Sequence, residues 1–388
     1  MRIYEIATGY TPVPAKMGAA TEIVVEELVK AFEKIGEDVI LVDIQNEDGN
    51  HGYKKVVEVQ VPRKYRTTDV SLGLAHKLKR IVYSINLAMT LKKELKSIND
   101  TECVLHFHNQ YNCFFFFLLT SKKLRKKVTI AYTNHSYIWQ GDWSEIKGSI
   151  KKRYFQECYC LRHADKVFIL NRSTANNIIE HVNVAKDKVY YIINGVNGDE
   201  YRPLTAEDKE NIKTQMGVKG KRIYGQIGSV CERKNQLEAI KALTPILRMD
   251  ENSIFCFAGG IISDDYFDKI MAYSEEKGIR NQVLYLGELE PGEKLNEIYN
   301  ICEAMVFPSK QEAFGLVITE AAAAGTPTLI SSTLEFETKP FCIRFTDEDD
   351  LLDKLKGFSA SRETCRKEAL SEYGWETVAG MYLQGFLE

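Results

Sequence analysis

Two glutamates, Glu312 and Glu320, stand eight positions apart in "SKQEAFGLVITEAAAAGTPTLIS" (Ser309–Ser331), a run that is otherwise almost wholly apolar. Taking a carboxylate out of water is costly unless something pairs with it, so both need partners. "AMVFPS" reads as a strand, "LVITEAAAA" as a helix stopped by Gly325, and "TPTLISS" as the next strand, which together make a βαβ unit. On one continuous helix the two carboxylates would be turned roughly 80° apart. The better arrangement leaves Glu312 in the loop and starts the helix near Gly315. The free N–H groups around Phe314, Gly315 and Leu316 then favour an anion such as phosphate, and glycine permits close backbone approach. One carboxylate near the reacting end of a ligand and another beside a ribose diol would bracket a nucleotide-sugar, since a carboxylate accepts from two hydroxyls. Spacing alone leaves open the alternative of an exposed Glu312 and a salt-bridged Glu320.

Further groups with chemical potential lie at other strand ends. In "GQIGSVCERKNQLEAIKAL" (Gly225–Leu243) a strand ends at Gly228, and Arg233 and Lys234 come just before an amphipathic helix. Cations there are placed to hold a diphosphate that leaves with negative charge; an exposed basic loop is the alternative. The turn "GYTPVPAKMGAATEI" has small residues at Gly18, Ala19 and Ala20 and opens a helix, but it lacks the G-x-G-x-x-G dinucleotide fingerprint. In "VLHFHNQ", His106 and His108 alternate with apolar residues and face one side, and His135 follows the strand "VTIAYT". A histidine at the carboxyl end of a strand can donate to a sugar hydroxyl or a phosphate; His106 is expected to be buried and satisfied. No set of three or four converging metal ligands can be read from the spacing. "SDD" (Ser263–Asp265) and "DEDD" (Asp347–Asp350) read as solvated surface.

The elements that must position these residues follow a simple rhythm. Across 388 residues, short apolar β-branched runs alternate with helical patterns, the signature of βα units and parallel sheets. The turn-rich "NGVNGDEYRPLTAED" (Asn194–Asp208) interrupts the rhythm before a second series begins. Two doubly wound α/β domains in tandem are expected, with ligands beyond the carboxyl ends of their strands and one site in the cleft between them. The final "SRETCRKEALSEYGWETVAGMYLQGFLE" has helical spacing. With 44% hydrophobic and 27% charged residues and a net charge of −3, the composition is that of a globular protein and argues against a dedicated nucleic-acid binder. The charge is uneven: residues 1–200 carry 29 Lys and Arg against 23 Asp and Glu, the remainder 22 against 31. "SLGLAHKLKRIVYSINLAMTLKKELKSI" (Ser71–Ile98) and "SKKLRKKV" (Ser121–Val128) are basic, and the first is amphipathic, so a surface resting on anionic lipid is one option and ordinary helix packing the other. Nine irregularly spaced cysteines fit reduced thiols, and the start "MRIYEIATGY" reads as a strand rather than a signal peptide. The expected location is cytoplasmic, with peripheral contact at the inner face of the membrane as an option.

Taken together, these residues resemble the retaining glycosyltransferases of family 4, which have the GT-B architecture of two facing Rossmann-like domains with an interdomain cleft. "EAFGLVITE" (Glu312–Glu320) matches that family's E-x7-E motif, and "VFPS", "EAAAAGTPTLIS", "LHFHNQ", "NGVN" and "QVLYLGEL" fall in the expected order. The resemblance implies an N-terminal acceptor-side domain at residues 1–196, a donor-side domain at 197–370 and a terminal helix at 371–388 that returns to the first domain. It implies that Glu312 contacts the donor sugar and Glu320 the ribose hydroxyls. The amides of Phe314, Gly315 and Leu316 would hold the diphosphate with Lys234, and Gly18 would approach it from the first domain. His108 would bond the donor sugar near its reacting face, with His135 and Asn109 as further substrate contacts; His108, Glu312 and Lys234 are the catalytic candidates. Ser229 stands where the family usually has an arginine, and Arg233 is the candidate replacement; Met17 stands where the family has a glycine. The implied reaction moves a sugar from a nucleotide-diphosphate donor, with UDP-sugar favoured and GDP-mannose next. The acceptor would be a glycan, a lipid-linked saccharide or a small glycoside. Retention at the anomeric carbon, with the departing diphosphate helping to take the acceptor proton, requires no metal or other cofactor. A nucleotide-sugar 2-epimerase and a catalytically silent sugar-binding subunit are the alternatives, the second kept open by Ser229.

Overall fold

A computed structural model of the chain describes residues 1–14, 20–46, 52–66, 74–98, 102–143, 149–357 and 361–388. Gly18 and Met17 lie outside these described residues. The chain divides into two compact units, one made of Met1–Asn194 with Trp375–Glu388 and the other of Gly195–Gly374.

The first unit is built on a seven-stranded sheet of β1 (Arg2–Ile6), β2 (Asp38–Ile44), β3 (Val56–Val59), β4 (Cys103–Phe107), β5 (Thr129–Asn134), β6 (Lys166–Ile169) and β7 (Val189–Tyr191), in the order β3-β2-β1-β4-β5-β6-β7. Every pairing is parallel. Helices cover such a sheet on both faces, so its central strands are apolar throughout rather than alternating; β4 is buried at all five positions. The order reverses between β1 and β4, the topological switch point outside which ligands of doubly wound sheets bind.

The second unit repeats the plan with six parallel strands: β8 (Arg222–Ile227), β9 (Ser253–Ala258), β10 (Val283–Tyr285), β11 (Ala304–Phe307), β12 (Thr328–Ser331) and β13 (Cys342–Phe345). Their order is β10-β9-β8-β11-β12-β13, with the switch point between β8 and β11. The helix expected after Gly315 spans Leu316–Ala323, and Gly325, at φ +83°, ends it. Its alanines admit a close neighbour, the helix Arg362–Tyr373, whose Arg366 Nη1 donates to the Ala323 carbonyl at 2.7 Å and whose Arg362 Nη1 donates to Thr326 Oγ1 at 2.8 Å. A cation at the last carbonyls complements the helix dipole.

Three elements differ from the sequence expectation. β3 and β13 are additional strands. The terminal helical stretch is broken at Gly374 into Arg362–Tyr373 and Trp375–Leu387, and the second piece packs in the first unit against the helix Ala20–Lys34.

Candidate functional site

In the second unit the candidate residues gather at the carboxyl ends of β8 and β11. The loops after these two strands are tied together by backbone and side-chain bonds. Lys310 N donates to the Arg233 carbonyl at 2.9 Å, Arg233 Nη1 to the Gln311 carbonyl at 2.9 Å, and Asn235 Nδ2 to the Pro308 carbonyl at 3.3 Å. Gln226, within β8, donates to the Lys234 carbonyl at 2.7 Å. These bonds hold Arg233 and Lys234 beside Glu312. Glu312 Oε1 lies 2.7 Å from Lys234 Nζ and 3.1 Å from Arg233 Nη1, and the Lys234 and Glu312 side chains are each only 12% exposed. Burial pulls the Lys234 ammonium below its ordinary value, against the opposing charge of Glu312. Lys234 Nζ also sits 4.9 Å from the centre of the Phe307 ring. The ion triad is a finding beyond the spacing, which put Glu312 on a ligand and left the alternative of an exposed side chain.

Gly315 caps the helix Leu316–Ala323 with φ +95°, a conformation that side-chain-bearing residues rarely adopt. An added Cβ would meet Ile318 Cδ1 at 3.0 Å. Phe314 packs against Phe336 and Tyr373, which anchors the turn. Glu320, one turn into the helix, accepts from the Tyr299 hydroxyl at 2.7 Å. Desolvation, with Glu200 nearby, pushes its carboxyl up to about 7 even though tyrosine hydroxyls bond to it. Among the described residues, Glu320 is therefore held by tyrosines rather than by a salt bridge. Ser229 lies in the β8 loop, where its carbonyl accepts from Gln236 Nε2 at 3.0 Å.

In the first unit the histidines come together with a residue that the sequence reading missed. Glu5, the residue before the last of β1, is fully buried and places one carboxylate oxygen 2.7 Å from His106 Nδ1 and the other 2.8 Å from His108 Nε2. Burial works against its charge, but the two imidazoles bring the carboxyl down to about 2. His106 Nε2 lies 2.7 Å from Thr133 Oγ1, which lies 3.2 Å from the Tyr382 hydroxyl. His108 Nδ1 lies 2.9 Å from His135 Nε2. Burial lowers His108 to about 4 and takes His135 well below its ordinary value, so both rings are neutral at pH 7. His106 is buried and satisfied, as expected. Both ring nitrogens of His108 are engaged, and it is 4% exposed. His135 is only partly buried.

Glu5, His106 and His108 also form the group among the described residues whose donor atoms converge closely enough to hold a metal ion. The spacing does not show this set, because Glu5 lies 101 and 103 residues from the two histidines in the sequence. Each of these donor atoms is already at hydrogen-bond distance from another, so the cluster is satisfied without an ion.

Neighbouring groups brace the histidines. Asn109 caps the helix Gln110–Leu119, accepting from Tyr111 N at 2.9 Å, and donates to the Tyr10 hydroxyl at 2.8 Å. Asn112 Nδ2 donates to the carbonyls of Ala7 and Thr8 at 3.1 Å each, tying the loop after β1 to the helix after β4. The segment that follows His135 is anchored by Glu157, which accepts from Asn134 Nδ2 at 2.6 Å, Trp139 Nε1 at 3.1 Å and the Tyr132 hydroxyl at 3.2 Å.

Comparison with known proteins agrees with this geometry. Two family models match in succession, Glycosyltransferase Family 4 over residues 21–200 and Glycosyl transferases group 1 over residues 208–366. The uncharacterized glycosyltransferase MJ1607 of Methanocaldococcus jannaschii is 27% identical over 229 residues, which are 55% of this chain and 57% of that protein. The serotype-specific mannosyltransferase WbdA of Escherichia coli is 28% identical over 262 residues, 61% of this chain and 31% of that protein. The matched stretches thus take in less than two thirds of either relative. Anabaena Alr3699/HepE, solved in complex with UDP and glucose, has the same fold, with a TM-score of 0.70 at 15% identity over 99% of this chain and 98% of that one. Two sheets of like strand order, each carrying its candidate residues at the switch point, and two matched segments that follow one another along the sequence establish that the chain belongs to glycosyltransferase family 4 and has the GT-B fold.

Proposed function

We propose that the chain is a retaining glycosyltransferase that uses a nucleotide-diphosphate-sugar, with a UDP-sugar as first donor and GDP-mannose as second. The observation that carries the reading is the triad Glu312–Lys234–Arg233 at the β8/β11 switch point, next to the positive-φ start of a helix at Gly315. A diphosphate would take over the two cations and meet the amides around Phe314, Gly315 and Leu316, where charge that develops on a leaving group is best met by preorganised donors. Glu312, released from the cations, would accept from hydroxyls of the transferred sugar, and Glu320 from the ribose. Ser229 adds only short polar contacts in this scheme, so Arg233 supplies the second cation. Lys234, Arg233 and the amides carry the leaving-group charge. Of the three clustered histidines, His135 is the least buried and is the proposed contact to a sugar hydroxyl, with His108 behind it. Gly18 and Asn109 are proposed as neighbouring backbone and side-chain contacts. HepE, solved with UDP and glucose, supports the uridine donor, and the mannosyltransferase WbdA keeps GDP-mannose in second place.

The proposed acceptor is a saccharide presented at an anionic lipid surface. The helix Leu74–Ser97 supports this choice, because it exposes Leu78, Ile85 and Met89 at seven- and four-residue spacing beside exposed Lys77, Lys93 and Lys96. No helix among the described residues is long and apolar enough to cross a membrane.

A panel of nucleotide-sugars tests the donor reading. One nucleotide should raise the melting temperature of the chain, and its sugar conjugate should be slowly hydrolysed with retained anomeric configuration. Interconversion of donor epimers without any acceptor, or no response to any member of the panel, would sink the proposal.

A further inference from the structure

The carboxylate of Glu5 takes no part in the chemistry proposed above, yet an unbroken line of polar contacts runs through it. The line goes from the Tyr382 hydroxyl through Thr133 and His106 to one oxygen of Glu5, and from the other oxygen through His108 to His135. Proton counting gives this line a direction. An ionised carboxylate only accepts, so the ring nitrogens facing it, His106 Nδ1 and His108 Nε2, carry hydrogen. A neutral imidazole has a single N–H. With His108 neutral, its Nδ1 must then accept from the group that faces it among the described residues, His135 Nε2. The proton of His135 is therefore on Nε2, and its Nδ1 carries a lone pair with no hydrogen-bond donor assigned to it among the described residues.

We infer that Glu5 is a positioning residue that acts through His108 to fix His135 as the Nε2–H tautomer, leaving Nδ1 to accept a hydrogen bond from a substrate hydroxyl. Two features of the fold support a positioning role. Glu5 comes from β1, His106 and His108 from β4 and its end, and Thr133 and His135 from β5 and its end, so the line crosses three adjacent strands of one sheet. The His108 and His135 rings stack at 25° with centroids 5.2 Å apart, and the His106 ring is walled by Phe168, Tyr382 and Phe386, so none can turn over without disturbing its neighbours. A wrong tautomer at His135 would present an N–H where the scheme needs a lone pair.

The inference rests on the glycosyltransferase reading only for the identity of the hydroxyl; the tautomer is a property of the protein alone. The test uses the full chain labelled with 15N in its histidine rings. Two-bond proton–nitrogen spectra are recorded between pH 6 and 8 and assigned with His108→Gln and His135→Gln. Wild type should show His108 and His135 as Nε2–H tautomers. In Glu5→Gln, His135 should become a mixture or switch to Nδ1–H. Its kcat should fall on the order of a hundredfold, the lower end of what a correctly protonated side chain contributes, while KM for the nucleotide-sugar shifts less than about threefold. An Nδ1–H tautomer of His135 in wild type, or a His135 spectrum that Glu5→Gln leaves unchanged, would overturn the inference. If Glu5→Gln loses its near-ultraviolet circular dichroism, the wild-type spectrum alone decides. Absence of turnover by wild type with every donor would count against the functional reading and leave the tautomer result standing.

Discussion

Glu320 sits where two requirements oppose each other. A carboxylate that accepts from ribose hydroxyls should be ionised, but desolvation and the nearby Glu200 push this one up to about 7. Its proton therefore leaves in the range where the enzyme would work, and two trends of opposite sign follow. Donor affinity should rise as the pH passes upward through about 7, because the ionised form is the better acceptor. Folding stability should fall over part of the same range. The native carboxyl keeps its proton up to about 7 while the unfolded one gives it up near 4.5, so the unfolded state binds fewer protons in that window and stability drops as pH increases through it. Glu320→Gln should flatten both trends, with weaker donor binding above pH 7 and a melting temperature less sensitive to pH between 5 and 7. Calorimetric titration of the nucleoside diphosphate at pH 6 and pH 8, wild type against variant, separates this effect from the titration of the phosphate itself. A wild-type affinity whose pH dependence matches that of Glu320→Gln would remove the assigned role.

Among the elements, the helix Leu74–Ser97 has one face committed to the core of the first unit and another exposed to solvent. Tyr83, Leu87, Leu91 and Leu95 are buried, whereas Leu78 is 54% and Met89 52% exposed. The short helix Lys122–Arg125 packs beside it with Lys122 and Lys123 exposed. Each lysine near an anionic surface contributes about 1 kcal/mol, and seating a leucine or isoleucine in the headgroup region contributes roughly 1.5–3 kcal/mol. Together these make a reversible attachment. The chain should pellet with vesicles containing phosphatidylserine and not with pure phosphatidylcholine, and salt should release it. Leu78→Ser with Met89→Ser should weaken pelleting without lowering the melting temperature, and equal pelleting with both lipids would refute the attachment. This helix, like the one after Gly315, was legible in the sequence because its periodicity and flanking residues agree. β3 and β13 were not. They are short edge strands, β3 carries Glu58 and β13 carries Arg344, and their central residues are only partly buried, so their pattern reads as loop. Glu5 escaped for a different reason. In a strand covered on both faces, period-two alternation no longer marks inside from outside, and the partners that explain a charge there lie 101 and 103 residues away. A lone carboxylate amid the apolar residues of a central strand was the available signal. The ion triad of Glu312, Lys234 and Arg233 was legible as three candidates but not as one group, because the ties between the β8 and β11 loops all end on backbone carbonyls more than 70 residues away, which no side-chain motif encodes.

At the scale of the molecule, the first unit is completed by residues from the far end of the sequence. In Trp375–Leu387 the side chains of Trp375, Val378, Tyr382 and Phe386 are buried, Phe386 lies near Phe32, and Tyr382 supplies the last hydroxyl of the line through Glu5. At roughly 1.5–3 kcal/mol per large side chain, those four contribute roughly 6–12 kcal/mol, the same order as the ~5–15 kcal/mol that stabilises a typical domain. The helix also approaches the sheet closely: a Cβ at Gly385 would come within 2.6 Å of the Phe168 ring. A chain ending at Gly374 should therefore lose the cooperative unfolding of its first unit while Gly195–Gly374 stays folded and survives limited proteolysis. Gly385→Val should act in the same direction with a smaller effect. Overpacking costs about 1–3 kcal/mol, which for a unit of this size lowers the transition by roughly 2–12 °C. Because the helix also holds Tyr382, both variants should disturb the histidine ring signals of the first unit before they affect nucleotide binding by Lys234 and Glu320. Scanning calorimetry on the truncated chain provides the check: an unchanged high-temperature transition would mean that the first unit folds without its terminal helix.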